Sequence, residues 1–268
     1  MAPHRVIHYL VDPITHLWSR ARAAWRRAHN PPSTRSFLAC VEAATSALDP
    51  EEKIAAATQA LHDEPHFGDW PLEMRRDQLR ATLWIVLAGA YEDRSHGTWQ
   101  ENLELSIAAY ERALRELDST RLPRLWAETQ NNIGYLYWQR AGSERMANIE
   151  SAIAAYTAAL TVCDQESPEE WATLQNNLAN AYSDRILGDR RDNLEWAIAA
   201  YGAALTVHTH EAHPIDWAMI QNNLGTAYSE RLAGDREENL DRALAAYTAS
   251  LTERTRQLGS RLSGTHFR

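Results

Sequence analysis

The chain has 268 residues, of which 44% are apolar and 24% charged. This apolar fraction predicts a buried core, as one large domain or two small ones, and argues against disorder. The net charge of −9 argues against general binding to nucleic acid. Two cysteines, Cys40 and Cys163, are too few for a disulfide framework, so we expect free thiols and a cytoplasmic location. No apolar run approaches the roughly 18 residues of a membrane span, and no signal peptide is predicted.

The first predicted element is an amphipathic helix over Ile14–Ala28. Residues 1–35 contain six arginines and a single acidic residue, Asp12. The helix can pack on the helices that follow it as an additional cap, which we favour. Alternatively, it can dock on a partner or make the protein membrane-peripheral by lying on an anionic surface. The Asn-Pro-Pro-Ser sequence that begins at Asn30 predicts a linker after this arm.

Two shorter helices are predicted next, over Ser36–Leu48 and Pro50–His62. We interpret residues 36–68 as a degenerate helical pair that caps the array that follows.

A repeated motif dominates the rest of the chain. The pattern Trp-Ala-x-x-Gln-Asn-Asn begins at Trp126, Trp171 and Trp217, and a fainter copy ends at Tyr91. Three sets of residues recur every 45 or 46 positions: Tyr91, Tyr137, Tyr182 and Tyr228; Tyr110, Tyr156, Tyr201 and Tyr247; and Asn102, Asn148, Asn193 and Asn239. This periodicity indicates four repeats, at about 69–118, 119–163, 164–209 and 210–256, followed by a tail at 257–268.

Each repeat is predicted to contain two helices, an A helix and a B helix. In the third repeat, Ser167 and Pro168 start the A helix, which runs to about Leu187, and Asp189 caps the B helix after the break at Gly188. One stripe of that B helix is apolar: Leu194, Ala197, Ile198, Tyr201 and Leu205. No window alternates as a strand does, so the sequence predicts an all-α array of antiparallel helix pairs.

The motif Leu178-Ala179-x-x-Tyr182, followed by Ala197-x-x-x-Tyr201-x-x-Ala204, resembles a tetratricopeptide (TPR) repeat. The unit is about 12 residues longer than the 34 usual in that family, and its tryptophan lies four positions earlier. The resemblance implies a right-handed superhelical solenoid whose A helices line a concave groove. The long unit is also similar to arrays in bacterial signalling and defence proteins with caspase-like CHAT domains, which implies an adaptor or regulator of such an effector.

Rows of polar and aromatic side chains on the A helices are the candidate partner-binding site. They are Asn131, Tyr135, Trp138, Asn176, Asn180, Ser183, Asn222, Thr226 and Ser229. Asparagine both donates and accepts hydrogen bonds, so such a row suits the backbone of a peptide. Alternatively, one asparagine of each Asn-Asn pair binds the neighbouring repeat and fixes the stacking. The surrounding charges favour a neutral or basic peptide, and the arm at 14–28 is a candidate occupant.

An arginine follows each A helix near the turn to the B helix: Arg94, Arg140, Arg185 and Arg231. We expect each to form an ion pair with the start of the next helix.

The C-terminal end lacks the polar capping helix that a repeat array normally needs. Leu244, Tyr247 and Leu251 of the last B helix would then be partly open. We predict self-association or a partner at this surface. The alternative is that residues 252–262 continue the helix and fold over the end.

The sequence contains no nucleotide-binding loop and no nucleophile elbow, so we predict neither an enzyme nor a cofactor. The best metal-like cluster is His208-x-His210-Glu211-x-His213, in a loop between repeats. We expect these histidines to be solvated and predict no metal site. A metal-binding or enzymatic role for the His208–His213 loop is the alternative.

Overall fold

The computed structural model describes residues 32–62, 76–163 and 167–264. All regular secondary structure in these ranges is α-helical, with no strand among them. The helices are α1 (Pro32–Ser46), α2 (Pro50–His62), α3 (Arg76–Asp93), α4 (Trp99–Glu116), α5 (Pro123–Gln139), α6 (Arg145–Leu160), α7 (Pro168–Ser183), α8 (Arg190–Leu205), α9 (Pro214–Glu230) and α10 (Arg236–Gly264). The predicted all-α class is therefore confirmed.

The chain forms two compact units, Met1–Leu136 and Tyr137–Arg268, whose border falls within α5. In the first unit α1 packs on α2, α2 on α3 and α3 on α4. In the second unit α6 packs on α7, α7 on α8, α8 on α9 and α9 on α10. Consecutive helices therefore pack pairwise, as predicted for an array of helix pairs. The A helices are α3, α5, α7 and α9, and the B helices are α4, α6, α8 and α10.

The turn between the A and B helices contains a glycine with a positive φ in every repeat: Gly97, Gly142, Gly188 and Gly234. Three of these glycines lie five residues before the periodic asparagine, whereas Gly142 lies six residues before Asn148 and has a larger φ of 119°. The periodic asparagine then closes the turn from inside the B helix. Asn193 is 1% exposed, and its side-chain nitrogen donates to the carbonyl oxygens of Leu187 at 2.8 Å and Arg185 at 3.4 Å. This bonding explains why an asparagine recurs in the first turn of each B helix.

The helix ends follow the predicted signals in part. Asp189 is the N-cap of α8, and its side chain accepts from the backbone nitrogen of Arg191, as predicted. Ser167 is the N-cap of α7, but its side chain makes no capping hydrogen bond. Helix α7 ends at Ser183, four residues before the predicted Leu187, and residues 184–189 form the turn to α8.

The core of each of the first three repeats is built by the B-helix tyrosine and small residues around it. Tyr110, Tyr156 and Tyr201 are almost completely buried. In the third repeat the predicted stripe is inside: Leu194, Ala197 and Tyr201 pack with Ile220 and Leu224 of the next A helix. Burial raises the pKa of Tyr201, and the nearby charge of Asp184 raises it further.

The helices at the two ends differ from the predicted ones. Helix α1 spans Pro32–Ser46 instead of the predicted Ser36–Leu48, so Pro32 of the predicted linker is its first residue. Helix α2 has the predicted bounds. The predicted helix at 14–28 lies outside the described residues. At the other end α10 continues to Gly264, about thirteen residues beyond the positions where α6 and α8 end. Of the helices described, none is both long and apolar enough to cross a bilayer.

Candidate interaction surface

The arginines near the A–B turns connect neighbouring repeats. Arg185 and Arg231 each form a two-pronged ion pair with a glutamate in the preceding B helix, Glu150 and Glu195, at 2.7 and 2.8 Å. Arg94 also pairs with a preceding glutamate, since its Nε lies 2.7 Å from the carboxylate of Glu51 in α2. We expected a partner at the start of the next helix. The observed partner lies instead in the helix pair before, because the A helix stacks on that pair.

A second ionic contact joins the B helices to the following A helices in the second unit. Arg145, the first residue of α6, pairs with Asp184 at 3.0 Å, and Arg190, the first residue of α8, pairs with Glu230. Both arginines also donate to a carbonyl oxygen at the end of the preceding A helix. The contacts between α6 and α7 and between α8 and α9 therefore each contain two ion pairs. In one pair the B helix supplies the arginine, and in the other it supplies the glutamate.

Several residues of the predicted A-helix rows bind other parts of the protein. The carboxamide oxygen of Asn180 accepts from the hydroxyl of Tyr201 at 2.6 Å and from the side-chain nitrogen of Asn223 at 3.0 Å. Asn223 is the second asparagine of its pair, so this contact is the stacking role that we considered as the alternative. In the first unit Asn132, also a second asparagine, donates to the Tyr110 hydroxyl at 3.4 Å.

The first asparagine of each pair is at least half-buried, although a residue that binds a peptide ligand needs an exposed side chain. Asn131 and Asn176 are buried and Asn222 is half-buried. Asn176 and Asn222 both donate to the asparagine that follows, at 3.4 Å. The side-chain oxygen of Asn176 is buried and has no hydrogen-bond partner.

The remaining predicted binding residues are half-buried: Tyr135, Trp138, Ser183, Thr226 and Ser229. The indole nitrogen of Trp138 donates to Asp184 at 2.9 Å. Thr226 accepts from the Tyr247 hydroxyl at 3.0 Å, and the hydroxyl of Ser229 donates to the Thr226 carbonyl oxygen. Binding of a peptide along these rows stays a prediction.

The last B helix presents a row of leucines to solvent. Leu244 and Leu251 are each 66% exposed, Leu258 is 61% exposed, and Leu240 is also exposed. Together we call these four residues the α10 leucine row. Tyr247 differs from the other two predicted residues of this surface, because its ring packs against Gly225 and its hydroxyl faces Thr226. Residues 252–264 continue the helix, but they leave these leucines uncovered.

The extension of α10 is attached to the loop between α8 and α9. Glu253 is 1% exposed and binds Arg256, Gln257 and His210, the last at 3.0 Å. The hydrogen bond from Arg256, followed by those from Gln257 and His210, lowers the pKa of Glu253 to about 2. The ring of His210 also lies edge-on to Trp217, with 4.6 Å between centroids. His210 therefore contacts Glu253 and Trp217, and not the other histidines of its loop.

Those other histidines meet a carboxylate. His208, His213 and Asp216 each offer a ligand atom, and the three atoms lie within 4.8 Å of one another. Burial lowers the pKa of His208. We expected the histidines of this loop to be solvated, which is wrong for His208, because it is buried where α8 joins α9. The sequence analysis also missed Asp216, because it lies in the first turn of α9 and outside the loop.

Comparison with known proteins does not assign the chain to a family. No protein-family model matches the sequence, and no curated protein matches it.

Proposed function

We propose that this protein is a non-catalytic interaction module that associates with a second copy of itself through the α10 leucine row. The observation that carries the proposal is an internal comparison between repeats. Leu240 is exposed, whereas Ile149 and Leu194 at the same position of α6 and α8 are completely buried. A position that is core in the inner repeats is therefore surface in the last, which is typical of an interaction site.

The charged residues beside the row support the same interpretation. Arg236 and Asp241 of α10 occupy the positions of Arg190 and Glu195 in α8, which pair with the next repeat. Arg236 keeps its bond to the Ser229 carbonyl oxygen at 2.6 Å, but both side chains are exposed. Among the described residues neither forms an ion pair. The last repeat thus retains the apolar and ionic groups with which the inner repeats hold a helix.

The length and charge pattern of α10 favour a second α10 as the occupant. Leu244, Leu251 and Leu258 are spaced by seven residues, the spacing at which paired helices meet along one seam. Over residues 236–242 three acidic residues, Glu237, Glu238 and Asp241, outnumber two arginines, while over residues 253–261 three arginines outnumber one glutamate. Two antiparallel copies would place opposite charges side by side, in a closed two-fold dimer.

Light scattering after gel filtration tests the proposal, over 1 to 100 µM chain. We expect a dimer for the natural chain and a monomer for Leu244→Arg with Leu251→Arg, because two buried guanidinium groups would oppose pairing. The matched control is Leu232→Arg, whose leucine is 64% exposed but lies in the turn before α10. It should remain dimeric. A natural chain that stays monomeric throughout, or a leucine-row variant that stays dimeric, would overturn the proposal.

Two further roles rest on the TPR resemblance and are proposed on that ground alone. One is recognition of a neutral or basic peptide by the A-helix rows. The other is regulation of a caspase-like or other bacterial defence effector in the cytoplasm. Affinity purification from the native host, comparing the natural chain with Trp138→Ala, tests the first of these.

A further inference from the structure

Three side chains with metal-binding chemistry converge where α8 joins α9. We propose that His208, His213 and Asp216 form a binding site for a divalent transition metal, with Zn²⁺ the best match. This site is separate from the α10 leucine row, and the inference goes beyond the proposed interaction function.

The backbone brings these residues together over a short stretch of chain. His208 follows the last turn of α8, His213 is the N-cap of α9, and Asp216 lies in the first turn of α9. The two imidazole rings meet edge to face with centroids 5.0 Å apart. One potential ligand atom from each of the three residues falls within 4.8 Å of the other two.

The state of His208 is the second, independent observation. Its side chain is 6% exposed, and its Nδ1 is buried without a hydrogen-bond partner. A buried polar nitrogen left unpaired costs free energy, so native structures rarely leave one in that state. Its Nε2 lies 3.5 Å from the hydroxyl of Thr173 in α7. A neutral imidazole has one lone pair to offer, and a metal ion beside Asp216 would accept it.

Helix α7 supplies a second carboxylate to the same place. Glu169 lies 3.5 Å from Nε2 of His213. A carboxylate bound to a histidine that ligates a metal fixes the orientation of the ring and increases its basicity. Glu169 can act in this way or, after a small movement, serve as a fourth ligand. The site would therefore connect α7 to the loop between α8 and α9.

The donor set selects the class of ion. Two imidazoles and one carboxylate suit Zn²⁺ and its neighbours, whereas Mg²⁺ and Ca²⁺ prefer oxygen ligands alone. Ligand atoms about 2.1 Å from zinc lie about 3.4 Å apart in a tetrahedron. Binding would draw the three side chains closer than they now are. The expected consequence is a more stable third and fourth repeat, with no reaction step assigned to the ion.

His210 provides a matched control within the same loop. It lies two residues from His208, but its ring packs on Trp217 and its Nε2 binds Glu253. If any exposed histidine could bind the metal, removing His210 would weaken binding as much as removing His213. If the proposed site binds it, removing His210 would leave binding unchanged.

The experiment is calorimetric titration of Zn²⁺ into the tag-free, chelator-treated chain, together with Co²⁺ absorption and thermal unfolding. We expect one Zn²⁺ per chain, visible Co²⁺ bands of a four-coordinate site, and a higher Tm with Zn²⁺. His213→Ala and Asp216→Asn should abolish all three effects, and Glu169→Gln should weaken binding by about 10- to 100-fold. His210→Ala should bind as the natural chain does.

Several results would overturn the inference. These are absence of stoichiometric Zn²⁺ binding, equal binding of Mg²⁺, retained affinity in His213→Ala, or a loss in His210→Ala as large as in His213→Ala. Circular dichroism of each metal-free variant shows whether it folds. If Asp216→Asn does not fold, His213→Ala alone decides, since the His213 side chain is only partly buried.

Discussion

Glu195 in α8 accepts two hydrogen bonds from the guanidinium of Arg231, which lies 36 residues later at the end of α9. The same two-pronged contact joins Glu150 to Arg185 one repeat earlier. Side-chain hydrogen bonding to Glu195 raises the pKa of Arg231, and the reciprocal bond lowers the pKa of Glu195. This contact holds α7 and α9 against the helix pairs that precede them.

A double-mutant cycle with Arg231→Met and Glu195→Gln should show that this pair is favourable. We expect a coupling free energy of about 1 kcal/mol, because the pair is bidentate and partly enclosed. The measurement is chemical denaturation of the natural chain and the three variants. The control is the exposed pair Arg242–Glu238 within α10, which should show less than about 0.5 kcal/mol. Equal coupling free energies in the two cycles would contradict a stabilising role for the Arg231–Glu195 pair.

Replacing two glycines near α8 should change stability in opposite directions. Gly188 has a φ of +79°, which disfavours any residue with a Cβ, so Gly188→Ala should cost about 1 kcal/mol. Gly202 lies within α8 with nothing within 4 Å of an added Cβ. Gly202→Ala should therefore gain about 0.5–1 kcal/mol. Thermal and urea unfolding measure both changes, and the same sign for the two variants would refute this account of the turn.

Gly225 is required by the close approach of α10 to α9. An added Cβ would lie 2.9 Å from the ring of Tyr247 and 3.2 Å from the carbonyl oxygen of Ala243. Gly225→Ala should lower the free energy of unfolding by about 1–3 kcal/mol, since the backbone cannot move as a flexible side chain could. Gly89→Ala in α3 is the control, because its Cβ would meet nothing. Urea unfolding compares them, and a Gly225→Ala variant as stable as the control would refute the constraint.

The attachment of the α10 extension should weaken in acid. Glu253 has a pKa lowered to about 2, so its contribution is fully present above the ordinary value of 4.5 and is lost as pH falls toward 2. Amide hydrogen exchange over 250–258 between pH 6 and 2.5 should show protection declining in the natural chain. Glu253→Gln should start with less protection and change less. Parallel pH profiles for the two proteins would contradict the prediction.

Particular residues show how far sequence reasoning reached. The spacing of the tyrosines indicated four helix pairs, and Asp189 was identified as a cap, because both depend on contacts within one repeat. The partner of Arg231 was predicted wrongly. Its glutamate lies in the preceding helix pair, and no local pattern specifies which helix stacks against which.

The sequence alone determined the helical class, the length of the repeat and the position of most turns, because helix periodicity and caps act over a few residues. The tertiary structure decided which polar groups are consumed in stacking, as Asn180 is by Tyr201 and Asn223. It also decided that His208 and His213 meet Asp216 while His210 turns to Glu253. Those choices depend on how side chains from different helices pack together, and that packing is a property of the folded chain.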